Sequence, residues 1–430
     1  MKTSKTEGCG VNSVLPEIAA KVRPGAFSEN AALLLDLVKS AAKAGNAEIA
    51  VPADFIRGGD CGSLNDHPAF QSALAVTQEK FLKAVAKVKG APNVKFTRTG
   101  LDVPPISDAG PDPRFPFGGR PGEVFFRQVT GLARRLDAIG CRHAVIGLSG
   151  GLDSALALLV TVAAFDHLGL DRAGVHVFTM PGFGTTKRTR GNAEDLAEGL
   201  GLKLETIDIT PACRQHFKDI GQSERVHDVT YENAQARERT QILMDKANQV
   251  GGIVVGTGDM SEIALGWCTY NGDHMSMFGV NAGVPKTVVR EVCRWWAEGH
   301  PGLSAKALLD IIATPVSPEL LPSKRGKIAQ KTEDKVGPYE LHDFFLWHFI
   351  AEQSSPTEIL KAAKKAFRGT YGAAEIGKWL DVFFRRLFSQ SFKRNCAPDG
   401  VQIFQIYLSP SAWHVPSDIA LPWKAADIRR

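Results

Sequence analysis

No run of apolar residues in this chain approaches the ~18 needed to cross a membrane as a helix, so no membrane-spanning segment is expected. Its start, Met1-Lys-Thr-Ser-Lys-Thr-Glu-Gly, lacks the apolar stretch of a signal peptide, and a cytoplasmic location is expected. Positive charge is in only small excess. A net +5 over 430 residues gives no basic track for nucleic acid, and Lys324-Arg325 with Lys327 reads as a set of solvated loop positions. The seven cysteines are scattered with no CxxC pair, so neither a zinc site nor a disulfide framework is indicated. Internal repeats and low-complexity tracts are also missing. What remains is ordinary for a globular protein: 44% hydrophobic and 23% charged residues, with a length suggesting two or three domains.

The strongest signal is Gly147-Leu-Ser-Gly-Gly-Leu-Asp-Ser154, which follows the apolar run Ala144-Val-Ile. A Walker loop would need GxxxxGK[ST], and no lysine follows these glycines. Two residues without side chains, where a strand turns into a helix, leave backbone N–H groups and a helix N-terminus facing an anion. Gly147, Leu148, Ser149, Gly150, Gly151, Leu152, Asp153 and Ser154 are therefore the expected ATP phosphate grip, with Asp153 a ligand for Mg²⁺. A plain tight turn between strand and helix is the alternative for Gly-Gly alone. The full string resembles the loop of the ATP pyrophosphatase superfamily, which implies cleavage of ATP between its α and β phosphates and adenylation of a substrate oxygen.

From about residue 123 strand and helix patterns alternate. Phe125, Val129, Leu132, Leu136 and Ile139 recur at helical spacing, with Gly140 placed as a C-terminal cap. Strands are predicted at 144–148, 174–179, 204–209 and 252–256, and helices near 154–168, 190–200 and 232–249. Beyond residue 303 the pattern turns helical (304–312, 340–351, 357–367, 373–388). The expectation is an α/β fold: a doubly wound parallel sheet with ligands beyond the carboxyl ends of its strands, followed by a helical C-terminal part. Residues 99–122 are rich in Pro and Gly and read as a linker between a first segment, 1–98, and a second domain, 123–430. In the first segment Ala31–Ala44 reads as a helix and Ala47–Val51 as a strand.

A second cluster runs from Gly252 to Ser276. Thr257 leaves a buried strand at its carboxyl end, where its hydroxyl can meet ATP. Glu262 is either a helix-start carboxylate complementing the helix dipole or the partner of Asp153 in holding Mg²⁺. Trp267 and Tyr270 are core aromatics or parts of a ligand-facing loop, and the neighbouring Gly266, Thr269, Asn271 and Gly272 favour the loop.

With this cluster the region from about Phe125 to Asp418 resembles the synthetase domain of NAD⁺ synthetases of the glutamine-dependent branch. The matching pieces, in family order, are Gly147–Ser154, Met180-Pro-Gly-Phe183, Asp228-Val-Thr-Tyr-Glu-Asn-Ala-Gln-Ala236, Gly256–Ser276, Val280-Asn-Ala-Gly-Val-Pro-Lys-Thr287, Gly337-Pro-Tyr-Glu-Leu-His-Asp-Phe344 and Phe392-Lys-Arg394. The resemblance implies that the nicotinate carboxylate of deamido-NAD⁺ attacks the α-phosphorus of ATP. Ammonia then attacks the acyl adenylate, giving NAD⁺ and AMP. It also implies contacts from Asn233, Glu262, Trp267, Cys268, Thr269 and Tyr270 to deamido-NAD⁺. Lys286 and Lys393 are assigned to phosphate groups, each being otherwise a surface lysine. Asp273 is assigned to receive ammonium and take its proton, or else is a turn-forming aspartate. Arg237 and Arg239 do not share a helix face, so at most one points into the site. A homo-oligomer formed through the synthetase domain is expected from the resemblance.

The chain departs from that family at its start. Ala47–Ala53 and Gly58–Leu64 resemble the beginning of a nitrilase-like glutaminase, but Ala53 stands where the triad glutamate belongs and Asp54 is one residue off. Cys9 and Cys61 have no evident base, so glutamine hydrolysis is not expected. Ammonia, free or from a separate glutaminase, is the expected nitrogen source, with residues 1–98 a small α/β remnant. The tail Leu408-Ser-Pro-Ser-Ala-Trp-His-Val-Pro416 lacks the arginines that flank this motif in relatives. Two other readings stay open: an adenylating amidotransferase acting on a different carboxylate, and a nucleotide-binding paralogue without turnover.

Overall fold

The computed structural model describes residues 21–52, 54–57, 64–66, 68–97, 105–314, 320–321, 332–420 and 423. The chain divides into two compact units at Pro104 and Pro105. In the first, helix α1 (Phe27–Lys43) precedes strand β1 (Glu48–Pro52), helix α2 (Pro68–Val85) and strand β2 (Asn93–Thr97). The two strands pair in parallel, so α2 is a βαβ crossover. Leu34, Val38, Ile49, Val51, Phe55 and Phe81 form this unit's own core. Ala53, Cys9, Cys61 and most of the Gly58–Leu64 stretch lie outside the described residues.

The second unit opens with the Pro/Gly-rich stretch, which from Pro105 onward is packed and not a free tether. Ile106 bridges to Phe404, and Phe117 is buried edge-on against Trp347 and Phe404, at 4.9 and 5.1 Å between ring centroids. The apolar residues spaced among the prolines anchor the stretch, a feature that linker composition conceals.

After helix α3 (Pro121–Ala138) come β3 (Ala144–Gly147), α4 (Leu152–Leu168), β4 (Val175–Thr179), α5 (Lys187–Gly199), β5 (Leu204–Thr206), α6 (Thr210–Ile220), α7 (Val229–Val250) and β6 (Ile253–Gly256). Then follow α8 (Met260–Leu265), β7 (Phe278–Gly279), α9 (Lys286–Gly299) and α10 (Leu303–Ala313). The sheet is parallel throughout, in the order β5-β4-β3-β6-β7. Side-chain alternation sorts its two faces. Ala144 and Ile146 join one core with α4, and Val145 joins the other with Tyr231 and Phe217. Helices therefore cover both faces, the doubly wound arrangement expected, and strand order reverses between β3 and β6. The crevice beyond these two strands is where such sheets bind ligands.

Helix α4 is apolar nearly all round and runs through the core, which is why its sequence shows no clean amphipathic stripe. The strand predicted at 204–209 ends at Thr206, because Asp208 leaves the sheet to accept the Thr210 N–H at 2.8 Å and start α6. The C-terminal part is helical: α11 (Thr332–Val336), α12 (Tyr339–Leu346), α13 (Pro356–Ala366), α14 (Ala373–Ser389) and α15 (Ser391–Arg394). A π-helical turn at Trp347–Ala351 follows α12.

Candidate active site

At the carboxyl end of β3 the backbone turns through Ser149, Gly150 and Gly151 into α4. Gly150 has φ +81°, and a Cβ there would lie 2.0 Å from the carbonyl oxygen of Thr189, so no other residue fits. Ser149 Oγ accepts the Gly151 N–H at 3.2 Å and lies 3.1 Å from Ser154 Oγ, while Ser154 donates to the Gly151 carbonyl at 3.0 Å. No side chain caps α4, which leaves its first N–H groups available to an anion. Leu148 and Leu152 contribute backbone here and bury their side chains in the core.

The carboxyl end of β6 supplies the opposite wall. Buried Asn281 joins the two walls, its Nδ2 donating to the carbonyls of Asp153 at 2.9 Å and Thr257 at 3.0 Å. Its Oδ1 accepts from buried Gln128 at 2.9 Å. Asp259 is the N-cap of α8, accepting the Glu262 N–H at 2.8 Å.

The centre of charge is Lys286, the first residue of α9. Its Nζ lies 2.7 Å from Asp153 Oδ2, 2.7 Å from Asp259 Oδ2 and 2.9 Å from Glu262 Oε1. The side chain is only 2% exposed, so Lys286 is no surface lysine. Burial works against the ammonium, but the three carboxylates outweigh it and hold its pKa well above the ordinary value. Burial also pushes Asp259 far up against the pull of Lys286, and raises Glu262 to about 7. Asp259 was not singled out from the sequence, although Asp259-x-x-Glu262 carries the spacing of an N-cap and its third helical residue.

A cavity of about 300 Å³ is lined by Gly147–Ser154, Thr257, Glu262, Trp267, Cys268 and Asp273. Met180, Leu243 and Val255 give it an apolar wall, and Arg239 lines it as well. Arg237 instead donates to the Tyr270 carbonyl at 3.2 Å. Asp273 organises the loop above the cavity by accepting the Thr269 N–H at 2.6 Å, and Thr269 donates to Asn233 Oδ1 at 2.8 Å. Tyr270 is partly exposed and stacks on His274. Burial raises the Cys268 thiol to about 12, which leaves it neutral.

Asn233, Thr269, Tyr270, Lys286 and Lys393 do not line this cavity. Lys393 donates to the carbonyls of Gly266 at 2.8 Å and Cys268 at 2.7 Å. Arg386 and Arg394 reach the neighbouring carbonyls of Leu265 and Ala264, so cations from α14 and α15 clamp the end of α8. Lys393 thus holds backbone here, where the sequence reading assigned it to phosphate.

The sequence model of the NAD synthase family matches residues 124–370, more than half of the chain and every residue named as lining the cavity. The chain belongs to the NAD synthase family. Among its relatives, the glutamine-dependent NAD(+) synthetase of Mycobacterium tuberculosis (strain ATCC 25618 / H37Rv) is 41% identical over 324 residues, covering 69% of this chain and 48% of the relative. The enzyme of that name from Rhodobacter capsulatus is 32% identical over 344 residues, covering 76% and 58%. The chain spans about half the length of the curated relatives it matches. The crystal structure of a glutamine-dependent NAD(+) synthetase from Cytophaga hutchinsonii superposes with a TM-score of 0.57 at 18% identity, over 70% of this chain and 54% of that one. That likeness supports the fold alone.

Proposed function

We propose that this chain makes NAD⁺ by adenylating the nicotinate carboxylate of deamido-NAD⁺ with ATP and passing the acyl group to ammonia. The observation that carries the reading is the Lys286 cluster set beside the uncapped start of α4, within a chain of the NAD synthase family. The loop 149–151 and the α4 N–H groups would grip the ATP phosphates, with Thr257 on the opposite wall. The apolar wall of Met180 and Leu243 suits a flat base. Asn233, Glu262 and the loop Trp267–Tyr270 would receive deamido-NAD⁺, with Asn233 acting through its hold on Thr269 and Lys393 through its hold on the loop's carbonyls.

Mg²⁺ fits this site. Asp153, Asp259 and Glu262 can place oxygen atoms within 4.8 Å of one another, and Asp153 Oδ1 is buried with no hydrogen bond from any described residue. Three carboxylates against one ammonium leave a formal charge of −2 when all are ionised, the complement of one divalent cation. Asp153 and Glu262 would hold the ion, with Asp259 behind them; when bound it supplies charge neutralisation at the departing pyrophosphate. Lys286 adds a fixed positive charge at the same place. Chemistry of this kind asks the protein mainly for alignment. Asp273, which lines the cavity, would accept a proton from ammonium before attack.

Residues 1–98 are proposed to be a remnant of a nitrilase-like unit without glutaminase chemistry, since Ala53 stands where a catalytic glutamate belongs. The βαβ unit formed by β1, α2 and β2 is compatible with that origin. Cytoplasmic location, self-association through the second unit, and ammonia delivery by a separate protein belong to the same proposal.

The test is NAD⁺ formation from deamido-NAD⁺, ATP and Mg²⁺ with either ammonium chloride or glutamine as nitrogen source. Product with ammonium alone is expected. Product from glutamine would overturn the reading of the first unit, and no product from either would overturn the synthetase reading.

A further inference from the structure

The stretch Gly337–Phe344 belongs to the family pattern, yet none of its residues lines the cavity. Its geometry places two side chains beneath the Lys286 cluster. Gly337 has φ +99°, and a Cβ there would meet the Trp379 ring at 2.5 Å, so glycine alone allows the chain to turn into α12 at this point. Tyr339, on the first turn, puts its ring 5.2 Å below Lys286 Nζ. One turn on, Asp343 is 2% exposed and makes every one of its contacts inside the protein.

Those contacts join two helix starts. Asp343 Oδ1 accepts the Ser261 hydroxyl in a short hydrogen bond. Its Oδ2 accepts the Thr287 N–H at 3.0 Å and the Thr287 hydroxyl at 2.7 Å. Ser261 Oγ in turn accepts the Lys286 N–H at 2.8 Å. Ser261 lies in the first turn of α8, between Asp259 and Glu262, while Lys286 and Thr287 open α9. Pro285 gives α9 no side-chain cap, so Asp343 supplies that cap from another helix.

We propose that Asp343 is a positioning residue that fixes Lys286 against Asp259 and Glu262 by tying the starts of α8 and α9 to one buried carboxylate. The inference rests on the proposed synthetase reading for its kinetic consequence, but not for its geometry. A Nζ with carboxylates at 2.7–2.9 Å tolerates little relative motion of the two helices. Groups that orient the ligands of a metal or charge site commonly change affinity or rate by about 10–100-fold when removed.

The experiment compares the full-length wild type with Asp343→Asn, Ser261→Ala and the double variant. It reads melting temperature, kcat and KM for ATP in NAD⁺ synthesis, and Mn²⁺ affinity by electron paramagnetic resonance. Asp343→Asn keeps the shape and can still accept from Thr287, but it cannot accept from Ser261 through the same geometry. Expected are a loss in kcat of about 10–100-fold with KM for ATP nearly unchanged, and Mn²⁺ binding weakened by a similar factor. The double variant should be no worse than the more damaging single one, since both cut the same link. Wild-type kcat and Mn²⁺ affinity in both single variants would overturn the proposal. So would additive losses that follow a falling melting temperature. If Asp343→Asn does not fold, Ser261→Ala alone decides by the same readouts. If the wild type makes no NAD⁺, the synthetase reading fails, and the Mn²⁺ affinities alone decide the role of Asp343.

Discussion

Replacing Glu262 with Gln should make this protein's stability less sensitive to alkaline pH while removing its activity. Desolvation pushes the Glu262 carboxyl up to about 7 from an ordinary 4.5, against the pull of Lys286, although the side chain is 21% exposed. The raised value means that the folded state holds this proton more tightly than the unfolded chain. Its stabilising contribution is therefore complete below about 4.5 and is lost as pH rises through about 7. Between about pH 5 and about pH 8.5 that loss is on the order of 2–3 kcal/mol. Glutamine is neutral throughout and can still accept from Lys286 Nζ, so Glu262→Gln escapes the loss. Urea unfolding of both proteins in EDTA at the two pH values measures it. The variant should gain on the order of 2–3 kcal/mol on the wild type from the lower to the higher pH. Added Mg²⁺ should recover stability in the wild type more than in the variant, because one of the proposed ligands is gone. NAD⁺ formation should fall by about 100-fold or more, in line with the loss of a group acting on transition-state charge. A stability difference equal at both pH values would refute the buried-carboxylate argument, and full activity in the variant would refute the assignment of Glu262 to the metal.

Gly150→Ala should abolish ATP binding measured by calorimetry, because its Cβ would occupy the space of the Thr189 carbonyl at 2.0 Å and φ is +81°; nanomolar-to-micromolar binding equal to the wild type would contradict the loop geometry. Asn281→Ala should cost about 1.5–4.5 kcal/mol in urea unfolding, since it removes three hydrogen bonds, to the Asp153 and Thr257 carbonyls and from Gln128, at about 0.5–1.5 kcal/mol each. A cost below about 1 kcal/mol would show that the two walls do not depend on this bridge.

The parts of the fold that the sequence made legible are those governed by local rules. The run Ala144-Val-Ile followed by Ser-Gly-Gly placed a strand, a turn and a helix start correctly, because the turn demands glycine and the strand demands burial. The helix α4 was found nearly to its ends, although its burial on all sides leaves no periodic stripe. The charge cluster was only half legible. Asp153 and Glu262 read as partners across 109 positions, but Lys286 reads as a lysine assigned to phosphate, with a surface position as the alternative, and not as the centre of three carboxylates. Its burial depends on α12 and α8 packing around it, and no local pattern records that. Asn281 and Asp343 stood inside recognised stretches without a role, since each acts through backbone and hydroxyl groups of distant elements.

The position of each charge explains why such a cluster survives burial. Asp153 lies in the first turn of α4, Asp259 is the N-cap of α8 and Glu262 lies in its first turn. A carboxylate at a helix start gains about 0.3–1 kcal/mol from the helix dipole. Lys286 is the opposite case, a cation on the first residue of α9, where the dipole opposes it. Its placement there makes sense only with three carboxylates in front of it and Asp343 capping the helix from behind. In the proposed reaction a phosphate chain in the cavity would meet the uncapped N–H groups of α4, while Lys286 stands desolvated behind Asp153 and Glu262, outside the cavity wall and held at fixed distance. The desolvation of that cation has been met during folding and not during reaction, which is the condition under which a fixed charge is most effective on a developing one.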